Sequence, residues 1–375
     1  MNSKKVSLLF AGDFCSRPSA SVIEVDNRLE TIVKGADYAI VNFETPLKPA
    51  TVNQINGKLF QHEDSVTLLK IMGFSLFNIC NNHILDYGSN GVIETINKIG
   101  KDNVMGFSNE DNSIIPYYKE ISGVRFAFIP LCYDCYSTDF RNEYSVNAIT
   151  SNRIYWAIEK AKEHSDYIII IPHDGIEYIP IPTPYIRDLY KSFVDMGAHA
   201  VIATHPHSIQ GMEYYKNAPI FYSLGNFFFN SKATVDFKTP LPGWYDGMLV
   251  KLTFFDGIIE VENYYTKNEN NRRLLLDSNE SKDAEFKELC NLLNDDKKYF
   301  SLLNEIMLNK LQNKYLPVLN NLFRMQIQSK GGFIYLLKQI ALSLQKKRYT
   351  GDSIKLMLMQ EAEKRVLIDS LDLMK

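Results

Sequence analysis

Through the first two thirds of the chain, short runs that are apolar at nearly every position alternate with stretches at helical spacing. The runs "VSLLFAG" (6–12), "YAIVNF" (38–43), "SLFNIC" (75–80), "FAFIPL" (126–131), "YIIIIP" (167–172) and "AVIAT" (200–204) are rich in β-branched and aromatic residues. A strand with one wet face alternates apolar and polar residues, so unbroken apolar runs predict strands covered on both faces. Between them the pattern predicts helices over 64–72, 89–99, 151–164 and 184–196. Thr183 and Pro184 open the last of these. The hydroxyl can cap a free N–H, and the ring is already set at a helical φ. Ser122-Gly123 and Asp256-Gly257 predict two hairpins. The whole reads as a layered α/β domain with antiparallel strands added at its edges.

The pattern changes near residue 280, where Gly and Pro become scarce and Leu, Lys, Asn and Gln recur at helical spacing. A boundary is expected in "TKNENNRR" (266–273), separating a domain of residues 1–270 from a helical extension of residues 271–375. From Lys297 to Thr350 ten Lys or Arg stand against one acid, Glu305, a net of +9. Inside that stretch "FIYLLKQIALSLQKKRY" (333–349) sets Leu336, Leu337, Ile340 and Leu344 on one helical face. A basic amphipathic helix can lie on an anionic membrane or grip a polyanion. The same composition also suits bundle helices with solvated outer faces. Nucleic acid is not expected as a partner, because the stretch lacks aromatic interleaving and zinc spacing.

With 45% apolar and 23% charged residues and a net charge of −3 over 375 residues, the composition is that of a soluble globular protein. Five cysteines include one CxxC, Cys132 and Cys135, without a second pair. That is weak ground for a zinc site and suits thiols in a reducing compartment. "MNSKKVSLLFAGDF" has too short an apolar run for a signal peptide, and no segment approaches the length of a bilayer span. The expected location is cytoplasmic, with peripheral contact at the inner face of the membrane through 297–350.

The chemistry lies just past the end of each strand. Gly12-Asp13 comes after the first run, and Asn42 and Glu44 close the second. "NNHILDYG" after the third supplies Asn81, Asn82, His83 and Asp86. His173 follows "YIIIIP" directly, with Asp174, Gly175 and Glu177 close behind, and His205 and His207 follow "AVIAT". Each has a structural explanation when taken alone, such as a turn, a helix cap or a core histidine. Together, five strands deliver acids, amides and four of the seven histidines to the end where open α/β sheets bind ligands. In extended backbone residues i and i+2 point to the same side, so His205 and His207 are expected to face one cleft, with Pro206 stiffening the segment. Imidazole and carboxylate without clustered thiolate suit Zn, Mn, Fe or Ni. A carboxylate flanked by histidines suits a two-metal centre, which lowers the pKa of a bridging water and clamps both oxygens of a displacement.

The ordered set "AGDF", "VNFETPL", "NICNNHILDYG", "HDGIEY", "DMGAHAVIATHPHSIQGMEYY" and "IFYSLGNFFF" resembles the CapA-type poly-γ-glutamate capsule-synthesis family, within the calcineurin-like metallophosphoesterase superfamily. The resemblance covers roughly residues 5–230. It implies a four-layer α/β/β/α sandwich with two divalent transition metals (Mn, Fe or Zn). It further implies Asp13 and His207 on the first metal, Glu44 as bridging carboxylate, and Asn82, His173 and His205 on the second. His83 matches the histidine that stabilises the transition state or protonates the leaving group. Phosphoesterases commonly carry a histidine where Cys15 stands here, so Cys15 is either an extra ligand or an inert buried thiol. The implied function is a metal-dependent hydrolase of a phosphoester or γ-glutamyl amide. The alternative is a non-catalytic component that binds an anionic polymer or docks on a membrane-bound synthase. The resemblance does not account for the helical extension.

Overall fold

The apolar runs become strands of two stacked β-sheets in the computed structural model, which describes residues 5–49, 58–108, 114–139, 142–150, 152–230, 243–277, 280–310 and 312–313. The larger sheet runs Glu24–Val25, Arg273–Asp277, Ile258–Glu269, Asp246–Phe255, Val6–Ser16, Tyr38–Phe43, Leu76–Asn78, Val104–Met105, with Asn226–Asn230 also pairing Val6–Ser16. The smaller sheet runs Met212–Tyr215, Ala218–Phe221, Ala200–Ile202, Tyr167–His173, Val124–Cys132, Tyr117–Ile121. Its four middle strands are parallel, as are Val6–Ser16, Tyr38–Phe43 and Leu76–Asn78 in the larger one.

Alternate residues of each run serve opposite faces. Leu8, Phe10 and Ile40 of the larger sheet meet Phe126, Phe128, Ile169 and Ile202 of the smaller in one buried cluster. Ring pairs Phe10–Phe128 (6.5 Å) and Phe126–Phe254 (5.1 Å) cross between the sheets. Each large side chain buried there contributes about 1.5–3 kcal/mol. The intervening Leu9, Val41, Ile168, Ile170 and Val201 are equally buried, because helices cover the outer faces. Arg153–His164 and Pro184–Met196 pack on the smaller sheet. Asn27–Lys34 packs on strand Arg273–Asp277 of the larger one and against Asp64–Met72, and these two helices and Gly88–Ile99 each bury one apolar face. The result is a four-layer α/β/β/α sandwich. Thr183 caps its helix by accepting from Ile186 N–H, and both expected hairpins form, with positive φ at Ser122, Gly123, Asp256 and Gly257.

Two boundaries differ from the sequence reading. The first strand does not end at Gly12 but continues to Ser16, since Asn226–Asn230 extends its ladder. The polar stretch 266–273 is the end of Ile258–Glu269 and its turn into Arg273–Asp277, both within the larger sheet. The compact unit runs to Leu293. Helix Glu280–Leu292 joins it because Phe286 lies 6.3 Å from Phe221 and 6.2 Å from Tyr265, one ring from each sheet. The second unit begins at Asn294, and its helix Asp296–Lys310 buries Tyr299, Leu303 and Met307 on one face. The amphipathic segment 333–349 lies outside the described residues, as does most of the basic stretch 297–350. No helix among the described residues is long and apolar enough to cross a membrane.

Candidate metal centre

At the carboxyl ends of the parallel strands the two sheets bring their polar residues together. A Cβ on Gly12 would sit 2.1 Å from the carbonyl oxygen of Gly225, so only glycine lets the two backbones meet, with Asp13 N–H donating to that oxygen (3.0 Å). This approach sets Asn226 beside Asp13 in register. The Asp13 carboxylate accepts from Asn42 Nδ2 (2.6 Å) and from the backbone N–H of His205 (3.2 Å). His173 lies between Thr204 Oγ1 on Nδ1 and Asn82 Oδ1 on Nε2, each at 3.0 Å. His207 Nδ1 is 2.9 Å from Asn226 Oδ1, whose amide is oriented by donating to Trp244 O (2.9 Å). That leaves His207 Nε2 facing Glu44 at 3.7 Å, while its Nδ1 is also 3.3 Å from Asp13.

The segment His205-Pro206-His207 is not extended as the sequence suggests. His205 and His207 have φ of 100° and 55°, a region that costs roughly 1–3 kcal/mol per non-glycine residue. The tertiary bonds of His205 N–H to Asp13 and of Tyr178 N–H to Pro206 O (2.8 Å) hold the turn. The imidazoles still end as neighbours, with centroids 5.9 Å apart. Thr45 (φ 83°) and Tyr178 (φ 63°) share this conformation. Among the described residues, the other non-glycine residues at positive φ, Ser122, Lys216, Asn217, Asp256, Asn270 and Asn271, lie in hairpin turns. Outside the hairpins, backbone strain among the described residues is thus concentrated around this cluster.

Ligand-capable atoms of Asp13, Glu44 and His173 lie within 4.8 Å of one another, as do those of Glu177, His205 and His207. Both oxygens of Glu44 and Nδ1 of His205 are buried without a hydrogen-bond partner. Burial raises the Glu44 carboxyl to about 8, with Asp13 adding and His207 opposing. Burial alone would lower His207, but Glu44 and Asp13 raise it to about 10. His205 is lowered to about 4 and His173 also falls, chiefly through burial, so both keep a neutral ring. Positive charge is what the carboxylates lack, and protons on Glu44 and His207 supply it. Divalent cations would take that place and release the protons. The unpartnered oxygens, neutral imidazoles and oxygen/nitrogen donor set fit such ions.

His83 borders the cluster with its Nδ1 3.2 Å from Asp86. Burial would lower its pKa, but Asp86, Glu44 and Glu177 raise it to about 9. Cys15 lies apart from both ligand groups. Its thiol packs with Phe229 and Trp244 and lies 3.8 Å from Thr45 Oγ1, and burial pushes its pKa up, keeping it a thiol. The ladder irregularity at Asp13–Phe14 breaks the alternation that would have aimed residues 13 and 15 together. Cys132 and Cys135 are buried free thiols 3.9 Å apart and belong to neither group. The sequence reading noted Glu177 but did not place it among the ligands, and it missed Thr204 and Asn226 as holders of the imidazoles. Glu177 had one signal, its place in the same "HDGIEY" segment as His173.

A model of the bacterial capsule synthesis protein family PGA_cap matches residues 10–231. The chain is 31% identical over 212 residues to the PGA biosynthesis protein CapA of Bacillus subtilis, covering 54% of this chain and 56% of that one. It is 30% identical over 251 residues to the capsule biosynthesis protein CapA of Bacillus anthracis, covering 61% of each. It therefore spans under two thirds of the length of these relatives. Among solved structures, that of a novel phosphatase from Mycoplasma pneumoniae superposes with a TM-score of 0.47 at 14% identity, covering 70% of this chain and 94% of that chain.

Proposed function

The chain belongs to the bacterial capsule synthesis protein family PGA_cap, and from that premise we propose that it is a metal-dependent hydrolase of surface-polymer metabolism, cleaving a phosphoester or a γ-glutamyl amide. The observation that carries this reading is the convergence of donors from both sheets on Glu44, a buried carboxylate with no hydrogen-bond partner on either oxygen. Asp13, Glu44, Asn82, His173, Glu177, His205 and His207 would hold two divalent cations. When bound, such ions supply an activated water and neutralise charge developing on the substrate. Thr204 and Asn226 fix the rings of His173 and His207, so those donors need no reorganisation when substrate arrives. His83 is held by Asp86 through Nδ1 and is only partly buried. Its Nε2–H is the proton offered to the leaving group.

Protein purified without a metal-binding tag is expected to contain at least one transition metal per chain. His205→Ala should lower both that content and hydrolysis of bis(p-nitrophenyl) phosphate. Metal-free protein that hydrolyses equally well would overturn the reading. The net +9 between Lys297 and Thr350 favours a second reading, a non-catalytic component that binds an anionic polymer or docks at a membrane. It predicts salt-sensitive binding to polyglutamate or anionic vesicles, lost when residues 294–375 are deleted. Binding unchanged by that deletion would remove its support.

A further inference from the structure

The CxxC of the sequence has no part in the proposed chemistry, yet its loop lies against residues that would hold the ions. Cys132 and Cys135 are both fully buried, and their thiols face each other at 3.9 Å. Cys132 ends the strand Val124–Cys132 in register with His173. Its backbone is pinned on the other side too, the N–H donating to Asn147 O (2.7 Å) and the carbonyl accepting from Ile149 N–H (2.8 Å). Tyr133 N–H donates to His173 O (3.2 Å), and the Tyr133 ring lies 4.7 Å from that of His205. Ser137 Oγ donates to Asn82 O (2.8 Å). Cys135 opens the short turn Tyr136–Thr138 that carries Ser137. It is tied to that turn by Thr138 Oγ1, which accepts from Cys135 N–H and donates to Cys135 O, each at 2.9 Å.

We propose that Cys132 and Cys135 are a redox pair, taking a small peroxide as oxidant, whose disulfide loosens the imidazole and amide donors of the metal centre. Both sulfurs are buried, which suits an oxidant of that size. Cys135 reacts first, because the N–H groups of Ser137 and Thr138 donate to its sulfur and favour the thiolate, the nucleophilic form. It attacks one oxygen of the peroxide and breaks the O–O bond, leaving a sulfenic acid, while the departing hydroxide takes the Cys135 proton as water. The Cys132 sulfur then displaces the sulfenic hydroxyl, which leaves with the Cys132 proton as a second water. The two thiols lose two electrons and two protons, and one hydrogen peroxide becomes two waters. A disulfide holds its sulfurs about 2.05 Å apart, so one of them must travel. Cys132 is fixed in the ladder, and the movement falls on Cys135 and the turn behind it. Tyr133 and Ser137 are drawn with it, and they are the supports of His205 and Asn82. Formation of the bond does not depend on a metal; its effect on ion binding rests on the proposed metal centre.

The test uses the full chain, freed of metal, oxidised with hydrogen peroxide and cleared of it before manganese(II) is added. Mass spectrometry with peptide mapping should show the loss of two hydrogens as a Cys132–Cys135 bond. Calorimetric titration should show the oxidised chain binding manganese about 10-fold more weakly, the scale of disturbing groups that orient a metal's ligands. Dithiothreitol should restore the affinity, which separates the disulfide from methionine oxidation. Cys135→Ser should bind manganese as reduced wild type does, both before and after peroxide. In the metal-free chain the imidazole NMR signals of His173 and His205 should shift on oxidation, while His199, at the amino end of the same sheet, keeps its own. No disulfide, or one that includes Cys80, would overturn the proposal. So would a Cys132–Cys135 bond that leaves manganese affinity unchanged. Reduced wild type that binds no manganese would sink the metal-centre reading. Shifted His173 and His205 signals would then still support the redox pair, and unmoved ones would overturn it.

Discussion

Two glutamates of the same sandwich, Glu44 buried and Glu213 half-buried, have opposite surroundings. Glu213, in strand Met212–Tyr215, takes Arg187 at 3.1 and 3.3 Å, Lys191 at 3.0 Å and Tyr222 Oη at 2.6 Å. Arg187 goes on to donate to Leu293 O (2.9 Å). Burial would raise the Glu213 pKa, but those donors lower it. Glu44 has no donor on either oxygen and is raised. A buried carboxylate without a partner costs several kcal/mol unless something absent from the polypeptide completes it. The complete network is a structural ion cluster, whereas the incomplete one has the composition of a binding site.

The largest test of that contrast is metal addition. At about a thousandfold excess over Kd, a divalent ion binding only the native state stabilises it by about 4 kcal/mol. Denaturant melts with and without chelator should show this in wild type and not in Glu44→Gln. Equal shifts in both would erase the distinction. Next, Glu213→Ala should cost about 2–3 kcal/mol, less than the loss of a fully buried partner because Lys191 stays partly solvated. Glu44→Gln, measured in metal-free protein at neutral pH, should cost little or nothing, since the raised carboxyl of Glu44 is already largely protonated there. A third test concerns His83. In metal-free protein its NMR titration should centre near 9, and Asp86→Asn should return it toward the ordinary 6.5. The sign follows from the raised value: the stabilisation from protonated His83 is complete below about 6.5 and is lost as pH rises through 9. The smallest effect is Cys15→Ala, about 1 kcal/mol of lost packing with metal content unchanged. A fall in metal content would return Cys15 to the ligand set.

The layers were legible because Leu8–Phe10 and Ile168–Ile171 are apolar on both sides, which only a doubly covered sheet permits. Most of the cluster was legible because each donor directly follows such a run. The features that escaped depend on distant partners. Residues 13–16 stay in the ladder because Asn226–Asn230 arrives from more than 200 positions away. His205 and His207 leave the extended region because Asp13 and Tyr178 bind their segment, which nothing in "THPH" encodes locally. The unit extends to Leu293 because Phe286 finds one aromatic ring on each sheet, a pairing that no window of sequence displays.

The bond from His205 N–H to Asp13 spans 192 positions of the chain and joins the end of one sheet to the other. Between the sheets the contacts are otherwise mainly apolar side chains, which resist separation but are indifferent to small sliding. The polar cluster is therefore also a clasp, fixing how one sheet is phased against the other. An ion gripped by donors from both layers would lock that clasp, and amide exchange should slow together at the ends of Val6–Ser16, Tyr38–Phe43 and Tyr167–His173. Loading of the centre would then be felt as a mechanical state of the whole sandwich.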